Sequence, residues 1–340
     1  MRRIEFHGIA GLLGHFASNR LPQTLGDEVR QTAIAQVFWE AQHLKRLRQL
    51  SEALEQCLAC PIIFKGTALA YTLYEEPSTR RRGDSDILVK ENKFEEACNV
   101  LRALGFTAPV GGLSVDSLGA RSFSLKDKHG FWHEIDLHQR INGSPLIAAL
   151  FPDDELHSRS QPISTLGVGA RALGPPDALL VACFHRLFHR QSPYYVDDKP
   201  YLSSDRLIWL YDIKLLHQNL TDSEKRTILE LAEAKGLRAV LADGLRVADQ
   251  WLKLESKDLI RSLGTAKALE RPYRYLQSGQ VIRWMLDMGA TRHKSRAIFD
   301  LLAPPREYME RKYGGRPLRS NALAYIWRIL HGLYKAVRRS

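Results

Sequence analysis

Nowhere in its 340 residues does the chain carry an unbroken apolar run of the length a bilayer-spanning helix needs, about eighteen residues. The amino end, MRRIEFHGIAGLLGHF, starts basic. Its apolar stretch is short, is interrupted by Gly and His, and leads to no small-residue cleavage site, so it does not read as a signal peptide. Cysteine is scarce. Cys57, Cys60, Cys98 and Cys183 are too few for a disulfide framework at this length, and reduced thiols in a cytoplasmic protein are expected. Cys57 and Cys60 form a lone CxxC without a second pair, read as two small buried residues rather than a redox or metal site. No internal repeat and no low-complexity tract is present, which excludes a repeat array. Acidic residues are outnumbered, 38 against 49 Lys plus Arg, and the net charge of +11 favours anionic partners. Nucleoside triphosphates, nucleic acid and anionic lipid all meet that condition, so charge alone does not choose among them.

What the chain does have is enough apolar sequence, 44%, to bury one large core or two modest ones. Over residues 27–59, Ile34, Val37, Phe38, Ala41, Leu44, Leu47 and Leu50 recur at helical spacing and predict one inward stripe. PIIF, opened by Pro61, predicts a buried strand that passes through Lys65-Gly66-Thr67 into the helical ALAYTLY. Pro77 and Gly83 turn the chain before a second strand, DSDILV. KFEEACNVLRALGF reads as a helix stopped by Gly105, and RSFSLKD, KHG and FWHEIDLHQRI as a β-hairpin. Beyond about residue 175, helical segments follow one another with caps expected at Asp177, Ser204 and Thr221. The expected fold class is α+β: a helical lead-in over 1–59, a small mixed β-sheet core over 60–165, and a helical region over 166–340.

The chemistry concentrates at the second strand. Residues two apart on a strand share a face, so Asp84 and Asp86 project together with Ser85 behind them. Paired carboxylates suit a hard divalent cation, Mg²⁺ or Mn²⁺, that keeps substrate phosphate in its shell. Asp136, in HEIDLH, supplies a third carboxylate from a neighbouring strand, and three converging acids are a platform for two-metal chemistry. Glu134 and Asp127 stand next in line should Asp136 not converge. The upstream Lys65-Gly66-Thr67 turn presents backbone N–H groups at a helix start, an anion site. There Gly66 permits close approach and the Thr67 hydroxyl can donate. Arg80, four residues before Asp84, is placed to reach phosphate or an anionic acceptor, while Arg81 and Arg82 read as exposed loop.

In order and spacing, FKGTALAYTLY, the Arg, DSDILV and EIDLH resemble the uncharacterised nucleotidyltransferases of the DNA polymerase β-like superfamily. The likeness continues through FHRLFHR and RLIWLYDIKLL and covers roughly residues 60–220. It implies that Lys65, Gly66 and Thr67 lie at the phosphates, that Asp84 and Asp86 bind metal, and that Asp136 completes the catalytic set. Thr67 stands where the wider superfamily usually has Ser, which keeps the hydroxyl. Ser85 replaces the more usual aliphatic residue between the aspartates, which weakens the buried back of the strand.

His138 is either a group at the acceptor site or a strand histidine that finishes a turn. His185 and His189 share a helix face, but no third ligand for zinc is apparent, and the resemblance makes His185 a candidate pocket residue. Asp212 is a second such candidate, or a buried carboxylate paired with an arginine such as Arg206. The tail LAYIWRILHGLYKAVRRS suits docking on its own domain or lying on an anionic membrane surface. The expected activity is transfer of a nucleoside monophosphate from an NTP such as ATP to a hydroxyl or phosphate on a small molecule or protein, with release of pyrophosphate. Two alternatives stand beside it: an RNA- or tRNA-modifying toxin, and a non-catalytic nucleotide-binding scaffold.

Overall fold

The computed structural model describes residues 1–108, 119–190, 194–196, 199–201, 205–264 and 270–278, with single positions at 283, 286, 287 and 325. Two short helices, α1 (Arg2–His7) and α2 (Ala10–Phe16), lead into the long helix α3 (Gln23–Gln56). The first strand, β1 (Ile62–Phe64), runs directly into α4 (Lys65–Thr72), and β2 (Asp84–Leu88) is followed by α5 (Phe94–Ala103). The hairpin β3 (Ala120–Lys126) and β4 (Trp132–His138) comes next, then two-residue strands β5 (Gln161–Pro162) and β6 (Arg171–Ala172). Together they form one six-stranded mixed sheet in the order β3-β4-β2-β1-β6-β5. β2 is parallel to β4 and antiparallel to β1. Strands of two residues carry no readable alternation, and the sequence reading accordingly missed β5 and β6.

Alternation along the strands divides the interior in two. Ile63, Ile87, Phe123, Ile135 and Leu137 face a core shared with Leu47, Leu50 and Leu54 of α3 and with α5. Ile62, Phe64 and Leu88 face the larger core of the helices Pro175–Arg190, Leu207–Gln218, Asp222–Ala234 and Arg238–Leu252. Each set of buried aliphatic side chains contributes about 1.5–3 kcal/mol per residue. Helices on both faces therefore hold the strand ends of β1, β2 and β4 in place.

Several sequence expectations need correction. The α3 stripe is only half inward: Leu47 and Leu50 are buried, whereas Ile34, Val37 and Phe38 are 57%, 54% and 62% exposed. The first half of α3 is covered by α2, whose Gly14 lies against Val29 and Ala33, so the buried face there is a different one. Cys57 and Cys60 are half-buried rather than buried, because they lie in the turn that leaves α3, where Leu58 and Cys60 take positive φ. Thr221 does cap its helix, in a capping box with Glu224. Asp177 does not; it is buried inside the helix starting at Pro175 and accepts from Arg159 Nε at 2.7 Å. Ser204 lies outside the described residues, and the helix it was expected to cap starts at Leu207 without a side-chain cap. The tail helix over 323–340 is outside them too, Tyr325 aside. Among the described residues no helix is long and apolar enough to cross a membrane.

Candidate active site

At the end of β1 the chain must reverse into α4, and Lys65 makes the turn with φ of 54°. A left-handed conformation at a residue with a Cβ costs roughly 1–2 kcal/mol. Here the Lys65 ammonium lies 2.6 Å from Asp86 Oδ1. α4 has no side-chain cap, so the amides of its first turn have no such partner. Gly66 follows in the first turn of α4 and lines the cleft. A Cβ there would come 3.2 Å from Arg80 Nη2, so the guanidinium occupies the space above the glycine.

Parallel pairing of β2 with β4 sets Asp86 directly beside Asp136 and Asp84 beside Glu134. Four carboxylates therefore share the front of two adjacent strands, and all four line one cleft. Lys65 and His138 both reach the same one of them, Asp86; the His138 Nε2 lies 2.9 Å from Oδ1. The electrostatic result is uneven. Burial would raise the Asp86 pKa, but Lys65 and the hydrogen bond from His138 hold it well below the ordinary carboxylate range. Asp84 opens to solvent at its surface yet is ringed by protein. Desolvation first, then repulsion from Asp86 and Asp136, lift its pKa to about 7. Glu134 is raised as well, by burial and by Asp136.

Asp86, Asp136 and His138 each offer a ligand atom within 4.8 Å of the others. This differs from the expected triad, in which Asp84 rather than His138 was the third member. Two observations fit a divalent cation here: carboxylates crowded enough to perturb one another, and His138 Nδ1, which is buried without a hydrogen-bond partner.

The opposite wall of the cleft, which encloses about 850 Å³, comes from the helices and includes His185, His189 and Trp209. The two imidazoles lie 4.3 Å apart by ring centroid. Burial first, then His189 for His185 and Lys65 for His189, depress both, His189 to about 4, so both are neutral near pH 7. Arg80 links this wall to the sheet. Its Nε and Nη2 donate to Asp212 at 2.9 and 2.7 Å, and Tyr74 donates to the same carboxylate at 2.7 Å.

Three sequence expectations come out differently. Arg80, expected to reach phosphate, lines the cleft but is held by Asp212, which is the buried, arginine-paired carboxylate expected of it, with Arg80 in the place of Arg206. Arg206 instead donates to the Phe6 carbonyl at 2.5 Å. Thr67 is buried, with its hydroxyl 2.8 Å from Ser85 Oγ behind the strand, not at the cleft. Arg82, read as exposed loop, is a buried ion-pair partner of Glu40, which also accepts from Tyr71. Glu134 escaped the first choice of residues although its two-residue offset from Asp136 places it on the same face. Glu40, His43 and His133, all supporting the strand from behind, carried no local signal.

A mixed sheet with acids on adjacent strand ends, a Lys-Gly turn into a helix, and a helical wall across the cleft defines a nucleotidyl-transferring class of enzyme. The sequence pattern of one such family, described as an uncharacterised nucleotidyltransferase, matches residues 1–253, and the chain belongs to that family. The match takes in α1 to α3, so the helices behind the sheet are part of the shared unit. No curated protein matches the chain.

Proposed function

We propose that the protein transfers a nucleoside monophosphate, with ATP the first donor to try, to a hydroxyl or phosphate of a small molecule or protein in the cytoplasm. The reading rests on one observation above all: Asp84, Asp86 and Asp136 meet on two paired strands beside the uncapped turn of α4. The acceptor oxygen, any proton on it passing to solvent, forms a bond to the α-phosphorus, the bond from that phosphorus to the α,β-bridging oxygen breaks, and pyrophosphate leaves with the electron pair. Mg²⁺ or Mn²⁺, held by these aspartates with His138 beside them, would supply charge neutralisation for the triphosphate and lower the acceptor's pKa. Lys65 and the amides around Gly66 receive phosphate oxygens. Asp136, beside Asp86 across the strand pair, has no ion-pair partner among the described residues and serves the acceptor. His185, His189 and Trp209 form the wall against which nucleoside or acceptor packs.

Asp136→Asn tests the assignment. Turnover should fall at least about a hundredfold, the low end for losing such activation, while NTP affinity measured by calorimetry changes little. Wild-type turnover in that variant would move the role to another carboxylate, with Glu134 next. Equal NTP affinity with excess chelator would remove the metal. Labelled NTP added to cell extract, then separated into small-molecule, protein and RNA fractions, identifies the acceptor. The net charge of +11 favours RNA as the second reading, although Arg80 and Arg82 are spent on buried ion pairs and do not contribute to a free basic surface. Salt-insensitive, weak binding to total tRNA would dismiss that reading.

A further inference from the structure

Behind β2 the sheet carries a line of polar side chains where an apolar face would be expected. Asp127 lies in the β3–β4 turn, its carboxylate fixed by the amides of His129 and Phe131 at 2.8 and 2.9 Å. Its Oδ2 is 3.3 Å from His133 Nε2. His133 Nδ1 is 3.1 Å from His43 Nδ1 on α3, and His43 Nε2 is 2.7 Å from Ser85 Oγ. Ser85 Oγ lies 2.8 Å from Thr67 Oγ1, which is itself 3.3 Å from the Asp84 carbonyl oxygen. His43, His133 and Ser85 are fully buried. Trp39 stacks on both imidazoles, at 4.3 and 5.9 Å between centroids, which keeps the rings parallel.

Donor and acceptor roles along this line follow from its acidic end. A carboxylate only accepts, so His133 carries its proton on Nε2 and leaves Nδ1 as an acceptor. His43 must then carry its proton on Nδ1 and accept at Nε2 from the Ser85 hydroxyl. That leaves Ser85 Oγ open to accept from Thr67. Every member is neutral except Asp127, and reversing any one bond leaves two acceptors or two donors face to face.

We infer that His43 is a positioning residue for the nucleotidyl-transfer site: through Ser85 it fixes the orientation of Asp84 and Asp86, and the Asp127–His133 pair fixes His43 in turn. This rests on the metal-binding reading proposed above. Packing against an aliphatic residue would hold the strand just as deeply but would not set its direction, whereas hydrogen bonds are directional. Ser85 shares two peptide bonds with the aspartates, so a shift of its hydroxyl is transmitted to both carboxylates. Metal sites lose about ten- to a hundredfold in affinity when groups orienting their ligands are removed.

Mn²⁺ binding to the purified full-length chain, followed by electron paramagnetic resonance without NTP, tests this. Ser85→Ala should weaken binding about tenfold. His43→Asn, whose short amide reaches His133 but not Ser85, should do the same. His43→Gln extends an amide to the position of Nε2 and should restore affinity to within about threefold. Nitrogen-15 NMR of the imidazoles should show the Nδ1–H form at His43 and the Nε2–H form at His133. Equal Mn²⁺ affinity in all variants, equal loss in His43→Asn and His43→Gln, or the opposite tautomers would each overturn the inference. A wild-type chain that binds no Mn²⁺ overturns the metal reading and this inference with it; variants that match a wild type that does bind Mn²⁺ overturn the inference alone.

Discussion

On the front of β2, Asp84 and Asp86 stand beside Glu134 and Asp136 with Lys65 as the nearby fixed cation, and the Asp84 pKa rises to about 7. On the back of the same strand, Ser85 is satisfied by two partners and sits in a line of matched donors and acceptors. Glu40, a carboxylate buried on the same side, accepts from Arg82 at 2.7 and 2.8 Å. One residue along the chain thus separates a crowded set of acids from a line of matched donors and acceptors. Unmatched groups in a folded protein are costly, and they persist where a ligand completes them. The back face stabilises the fold, and the front is prepared for something that arrives later.

The widest separation between the faces should appear in turnover. Asp136→Asn should lower the rate of pyrophosphate release at least about a hundredfold without lowering Tm; a Tm loss comparable to that of a back-face variant would break the contrast. Glu40→Ala should behave in the opposite way. Stripping one partner from a buried ion pair costs about 3 kcal/mol, read as a lower urea midpoint, and the double variant Glu40→Ala/Arg82→Met should recover part of it. Equal stability of the single and double variants would show that the pair is not the unit.

Proton linkage gives a smaller effect with a definite sign. The Asp84 carboxyl titrates near 7 in the fold against an ordinary 3.8, so between those values the folded chain holds a proton that the unfolded chain releases. Stability must therefore fall as pH rises from about 4 to about 7, and stay at the lower level above it. Because Asp84 is open to solvent, the effect is discounted to roughly 2 °C in Tm. Asp84→Asn should flatten that slope, and an unchanged slope would assign it to other groups. Smallest of all, Thr67→Val should cost about 1 kcal/mol through its lost hydrogen bonds and leave the KM for NTP within about twofold. A large rise in KM would return Thr67 to the phosphates.

How far these faces can be read without coordinates differs for the same reason. That Asp84 and Asp86 share a face was legible because strand alternation is a local rule and the two lie two residues apart. The partners behind them are 42 and 90 residues apart in sequence, His43 with Ser85 and with His133. A Glu or His on a helix is ordinarily a surface residue, so Glu40 and His43 gave no sign of turning inward. Of the arginines of TRRRG, Arg80 was read as a phosphate contact and Arg82 as exposed loop, yet both are buried by carboxylates more than forty positions away, Arg80 by Asp212 and Arg82 by Glu40. Ile34, Val37 and Phe38 fit a helical stripe perfectly well, and only the placement of α2 decided that they face out.

Arg80 also bears on timing. Its guanidinium rests on Gly66 at one wall of the cleft and grips Asp212 on the other, with Tyr74 closing the same carboxylate. Swinging the walls apart would part this ion pair and strand the Tyr74 hydroxyl as well. The gap between sheet and helices is thus set before any ligand arrives. A ligand of the cleft would meet two walls already tied together through Arg80 and Asp212.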